Sequence, residues 1–280
     1  MTEDWSLAPE EKLVEALRES ALRSKFPEDL IREIVARGDH MVEPLGILLT
    51  RDVHEGGNPD DAVASAALHL LGIIGSPSAA PWILDWLRMD PQGWHATETT
   101  GAVLGRLGPE AIHTIAAGIT DEWIDTILRG CLVSGLVEIG LRNPSARPEV
   151  AGIIEKTVTK TAESCDETLL SWVVINSTTV HDRGVKSAIL AAFERGDIDE
   201  MVLDRNDYLK DQSTQPPWSC HFCDRDLMDY FLNHGTFFAH RTSLVQEPYT
   251  GSLSAQGKKV KKKSKHRKKK KAGGRRKNKP

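Results

Sequence analysis

The sequence has little with which to fix itself covalently. Its 280 residues hold four cysteines, Cys131, Cys165, Cys220 and Cys223. They are too few and too scattered for the disulfide framework of a small secreted domain, so a reducing cytosol is the expected compartment. Long apolar runs are missing as well, none reaching the roughly 18 residues of a membrane-spanning helix. Residues 1–10 carry acids and lack the apolar stretch of a secretion signal. A soluble chain is expected. The Walker loop, GxGxxG, GxSxG and HExxH patterns are all absent, so phosphate cradling and the familiar hydrolytic sites have no footing, and no enzyme is expected.

Present instead is a motif stated three times. It reads Leu71, Gly72, Ile73, Ile74, Gly75, then Leu104, Gly105, Arg106, Leu107, Gly108, then Leu136, Val137, Glu138, Ile139, Gly140. The copies start 33 and then 32 residues apart, and a proline follows each (Pro77, Pro109, Pro144). Each copy closes an apolar run of helical spacing, and a second run follows the proline. A period in this range marks stacked helical hairpins, none of which hides its apolar face without a neighbour.

The expected fold is therefore all-α, a right-handed α-solenoid. Residues 1–26 read as an N-terminal capping helix with Leu13, Val14, Leu17 and Leu22 on one side. Residues 27–196 form the repeat array. Pro27, Glu28 and Asp29 open its first helix, His54 to Pro59 is a loop, and Ser76-Pro77 is a cap followed by a restart. A helix from Asp121 through Trp123, Ile124 and Ile127 begins the third repeat, and a degenerate fourth uses Leu169 to Val174 and Val185 to Phe193. Gly72, Gly101 and Gly105 are expected at close helix contacts. Residues 197–247 read as a capping segment, acidic to Asp211 and looped from Gln212 to Pro217. Residues 248–280 are a lysine-rich tail, expected to be disordered because its charge density leaves nothing to offset ordering entropy.

At the Leu-Gly copies the sequence resembles HEAT-like and armadillo-type helical repeat proteins, over about residues 27 to 196. It is also similar to a bacterial group of HEAT-like proteins, some of which end in a SEC-C zinc-binding motif. That motif needs several cysteines near the C-terminus, and none follows Cys223. The resemblance implies a scaffold for protein–protein interaction rather than a particular chemistry. A di-iron site is known on a HEAT scaffold in the deoxyhypusine hydroxylase family, held by repeated His-Glu pairs. This chain has one such pair, His54-Glu55, too few ligands for that centre.

Two candidate sites remain. Cys220 and Cys223, with His234 and His240 downstream, have the residue types of a tetrahedral zinc site, so the alternative to a scaffold is a zinc-binding module or metalloenzyme, and zinc is the one cofactor the sequence suggests. The competing reading packs these residues into a capping helix at 226–232. The second candidate is the tail, in which Lys258, Lys259, Lys261, Lys262, Lys263, Lys265, Arg267, Lys268, Lys269, Lys270, Lys271, Arg275 and Arg276 form a polybasic run. Residues 258–280 carry +15 and no acid, leaving −19 on the rest of a chain whose formal charge is −4. Dense cation without interleaved aromatics suits the phosphate backbone of RNA or DNA, or another polyanion. It equally suits folding back on the chain's own acidic body. That acidic body favours a basic protein partner. In a eukaryote the lysine run would also read as a nuclear-targeting signal. His69 and His113 lie in apolar helices and read as hydrogen-bonded or edge-exposed histidines, Cys131 reads as a small core residue, and Trp82, Trp86 and Trp94 read either as core or as a groove lining.

Overall fold

In a computed structural model the described residues are 4–23, 25–54, 62–89, 94–164, 166–219 and 228, with backbone alone at 51–54 and 94–98. The chain divides into two compact units, Met1–Leu244 and Val245–Pro280, and every described residue belongs to the first. Among these residues are twelve α-helices and no strand. They are α1 (Glu10–Leu22), α2 (Glu28–Ala36), α3 (Val42–His54), α4 (Ala62–Ile74), α5 (Ala80–Leu87) and α6 (Trp94–Leu104). There follow α7 (Ile112–Ile119), α8 (Thr126–Arg142), α9 (Arg147–Glu163), α10 (Glu167–Asn176), α11 (Arg183–Arg195) and α12 (Arg205–Thr214). None is long and apolar enough to cross a membrane.

The prolines after the motif copies have one local job. Pro77, Pro109 and Pro144 each open a single 3₁₀ turn that leads into the next helix (α5, α7, α9). Proline suits that place because its missing N–H is one the first turn leaves unbonded anyway. The last glycines of the first two copies, Gly75 and Gly108, have φ of +71° and +85°, a conformation other residues resist; Gly75 ends α4, whereas Gly108 lies four residues past the end of α6 and opens the next 3₁₀ turn. Four later helices start on an aspartate cap instead. Asp125, Asp166, Asp182 and Asp204 each accept a backbone N–H from the first turn, at 2.8, 3.0, 2.7 and 2.7 Å.

Packing follows the motif. α4 packs on α6, α6 on α8 and α8 on α10, while α5 packs on α7 and α9 on α11. Leu68, Leu71, Leu104, Leu132, Leu136 and Ile139 are fully buried along the first series, each contributing about 1.5–3 kcal/mol of apolar burial. Glycines bring these helices together. Gly72 abuts Val103, Gly101 abuts Ser134 and Gly105 abuts Glu138, so closely that a methyl group at any of them would overlap its neighbour. Gly152 is the opposite case. It lies inside α9 with no heavy atom near its missing side chain, so Gly152→Ala should stabilise the protein by about 0.5–1 kcal/mol through helix propensity alone. A chemical denaturation midpoint that stays put or falls would contradict this.

The structure departs from the sequence reading at several points. Leu22 is 73% exposed, because five residues beyond Leu17 is about 140° around a helix. Trp123 is 83% exposed and precedes α8, which starts only after its Asp125 cap. Ser76 stands at the cap position of the 3₁₀ turn that Pro77 opens, but its side chain makes no capping bond to the backbone. Its hydroxyl meets Ser78 Oγ at 2.8 Å. His54 ends α3 and is not a loop residue. The acidic stretch conceals α12, which takes in Gln212 to Thr214 and buries Tyr208 alone. Gly140 does not terminate its helix, because α8 continues to Arg142.

Candidate functional site

Cys220, Cys223, His234 and His240 lie outside the described residues, as do Lys258 to Arg276. What is described is the segment leading toward them. The Gln212 side-chain amide donates to the carbonyls of Thr178 and Val180. Trp218 donates its backbone N–H to Thr179 O at 2.8 Å, and the Thr179 hydroxyl donates to Ser219 O at 2.7 Å. The Trp218 ring lies on Gly140, with the Arg147 guanidinium 5.5 Å from the ring centroid. Trp218 has φ of +57°, a conformation costing about 1–3 kcal/mol that burial of the ring offsets. Gly140 is thus where the segment after α12 packs against α8.

The remaining single candidates do not converge on a site. His69 is buried, with Nδ1 2.7 Å from Ser65 O, whereas His113 is exposed on α7, its Nε2 3.3 Å from Glu149 Oε1. They do not share a site. Cys131 is 4% exposed, and burial pushes its thiol up to about 12, so it is protonated at neutral pH and no nucleophile. Trp86 is fully buried and Trp82 packs on Gly46 of α3. No group of three or more metal-ligating side chains converges among the described residues.

The feature that stands out lies around α7. The outward side of this eight-residue helix carries His113, Thr114 and Ala117, while Gly118 is buried between Leu84 and Leu132, and space remains on both sides of the helix. Toward α5 there is a cavity of about 590 Å³ whose charges are internally matched, since Arg88 bonds both Asp85 and Asp121, the latter at 2.7 Å. The guanidinium accordingly holds the Asp121 carboxyl below its ordinary value. Toward α9 lies a second cavity of about 460 Å³. Its floor includes Ile119, Ile153 and Leu169, and its walls carry Arg129, Lys156 and Lys160 against one acid, Glu122. Sequence reasoning missed it because Lys156 and Lys160 look like an ordinary solvated helix face. Asp125, two residues past Trp123, was the available sign that α8 begins late and leaves Trp123 in a turn.

No protein-family model matches the chain, and no curated protein or solved structure matches it either.

Proposed function

We propose that the chain is a non-catalytic HEAT-like scaffold, a right-handed α-solenoid that holds a protein partner and carries a polybasic arm for RNA, DNA or another polyanion. One regularity carries the reading. The contacts that join successive helix pairs recur at the motif's own period, with Arg88 meeting Asp121 33 residues on and Arg106 meeting Glu138 32 residues on. Gly72 and Val103, 31 apart, and Gly105 and Glu138, 33 apart, do the same. Translational stacking produces one recurring separation, whereas a closed bundle has no reason to. Arg106 and Glu138 occupy the same third position of adjacent motif copies, so the ion pair is itself a repeat-to-repeat contact.

The arm supplies the polyanion half of the reading. A salt titration of the full chain against a version ending at Gly257, with a single-stranded RNA of about 30 nucleotides, tests it. The full chain should lose at least about 300-fold in affinity between 50 and 200 mM salt if it neutralises six or more phosphates of a single strand. The shortened version should bind at least about ten-fold more weakly at low salt. Equal binding by both versions removes the arm from the function.

A further inference from the structure

We infer that the cavity between α7 and α9 is a docking site for an acidic segment of a partner protein, one that seats an apolar side chain between carboxylates. The inference rests on the scaffold reading and gives it a place and a ligand chemistry. It also reverses the sign expected from the acidic body as a whole.

Three observations support it. First, the cations there are uncommitted. Arg32, Arg88 and Arg142 each lie against a carboxylate, but among the described residues Arg129, Lys156 and Lys160 have no acid within ion-pair distance. Asp121, which senses the Arg129 charge, is already bonded to Arg88 at 2.7 Å. Second, Arg129 is pre-oriented. Its Nε donates to Ile119 O at 2.9 Å, which fixes the guanidinium plane and leaves the two terminal nitrogens to grip a carboxylate as a fork. Third, the floor is apolar, and Trp123 stands 83% exposed in the turn whose Glu122 lines the cavity, with Ile127 close by in sequence and 37% exposed. An exposed tryptophan beside a pocket is the usual anchor of a protein interface.

The same features argue against other anions. A free phosphate needs a cradle of donors, yet the hydroxyls of Thr120, Thr157 and Ser164 donate to the carbonyls of Ala117, Ile153 and Thr161. Glu122 in the wall disfavours a continuous polyanion, and an apolar floor offers nucleic acid nothing to pair with. The chain's own lysine-rich arm is excluded by like charge.

The test is a display selection of random 12-residue peptides against the full chain. Each selected peptide is then titrated against the native chain and against the triple variant Arg129→Glu, Lys156→Glu, Lys160→Glu. Attraction to the arm is common to both chains and cancels. The expected result is a set of peptides with an apolar residue between two or more acids. Their affinity should fall at least ten-fold on the triple variant and several-fold on Trp123→Ala, and should survive Lys156→Arg with Lys160→Arg. Unchanged melting of the triple variant separates lost docking from lost folding. Peptides that bind native and variant chains alike overturn the site while leaving a scaffold with another surface. Competition by inorganic phosphate or a 15-nucleotide oligo(dT), lost in the triple variant, overturns the peptide in favour of those anions. A selection that yields no such acidic peptides also overturns it.

Discussion

Replacing Gly105 by alanine should destabilise the protein by about 3 kcal/mol, although alanine is the better helix former. The reason is the closeness of α6 and α8. The added methyl would overlap both Cβ and Cγ of Glu138, and a backbone-to-side-chain clash at the root of a buried residue cannot be relieved by swinging a flexible tip. Overpacking alone costs about 1–3 kcal/mol. Here the displaced side chain is also an ion-pair partner, which adds to that cost. Denaturant unfolding followed by circular dichroism measures the effect, and a shift under about 0.5 kcal/mol would mean that the two helices can part cheaply. Set beside Gly152→Ala, the same substitution should act with opposite signs at two sites.

Glu138→Ala should cost about as much, roughly 3 kcal/mol, by a different route. The carboxylate is fully buried, with Arg142 Nε at 2.5 Å and Arg106 Nη1 at 3.5 Å. Arg106 is 12% exposed and also donates to Ala102 O at 2.7 Å, so losing Glu138 takes a carboxylate away from a largely buried guanidinium. Arg142 is 38% exposed and rehydrates, and it contributes less to the loss. Glu138→Gln retains the volume and an acceptor and should cost about half as much. A double-mutant cycle with Arg106→Ala should show a coupling of at least about 1 kcal/mol, because the two side chains are ion-pair partners and the second truncation removes a contact the first has already broken. Simple additivity would mean that the charges act independently and that the cost of Glu138→Ala is mainly its cavity.

The helices were legible because the information lies within each of them: apolar residues at helical spacing, a glycine at the end, a proline to restart. Gly72, Gly101 and Gly105 were legible too, since a small residue on an apolar face has few other uses. What escaped depends on distant partners. Gly140 has the same sequence signature as Gly75 and Gly108, but Trp218, 78 residues later, occupies the place beside it and α8 runs on. The helix α12 has no apolar stripe and rests on the Asp204 cap and the burial of Tyr208. The cationic cavity gathers His113, Arg129, Lys156 and Lys160 from three helices, and no local window of sequence contains it. Reading along the chain favours clusters that are contiguous, such as the lysine run.

The sealed thiol of Cys131 makes the central helix its own reporter. Among the described residues it is the one cysteine, and it sits beside Gly130, whose surface is covered by Trp172 of α10. An alkylating reagent reaches the sulfur only during excursions in which α8 separates from its neighbours, so its labelling rate at this position, read by peptide mass, is a stopwatch for those excursions. A rate that rises tenfold for each 1.4 kcal/mol lost at Gly105 or Glu138 would place the breach at the α6–α8 seam. A rate that ignores both substitutions would place it elsewhere.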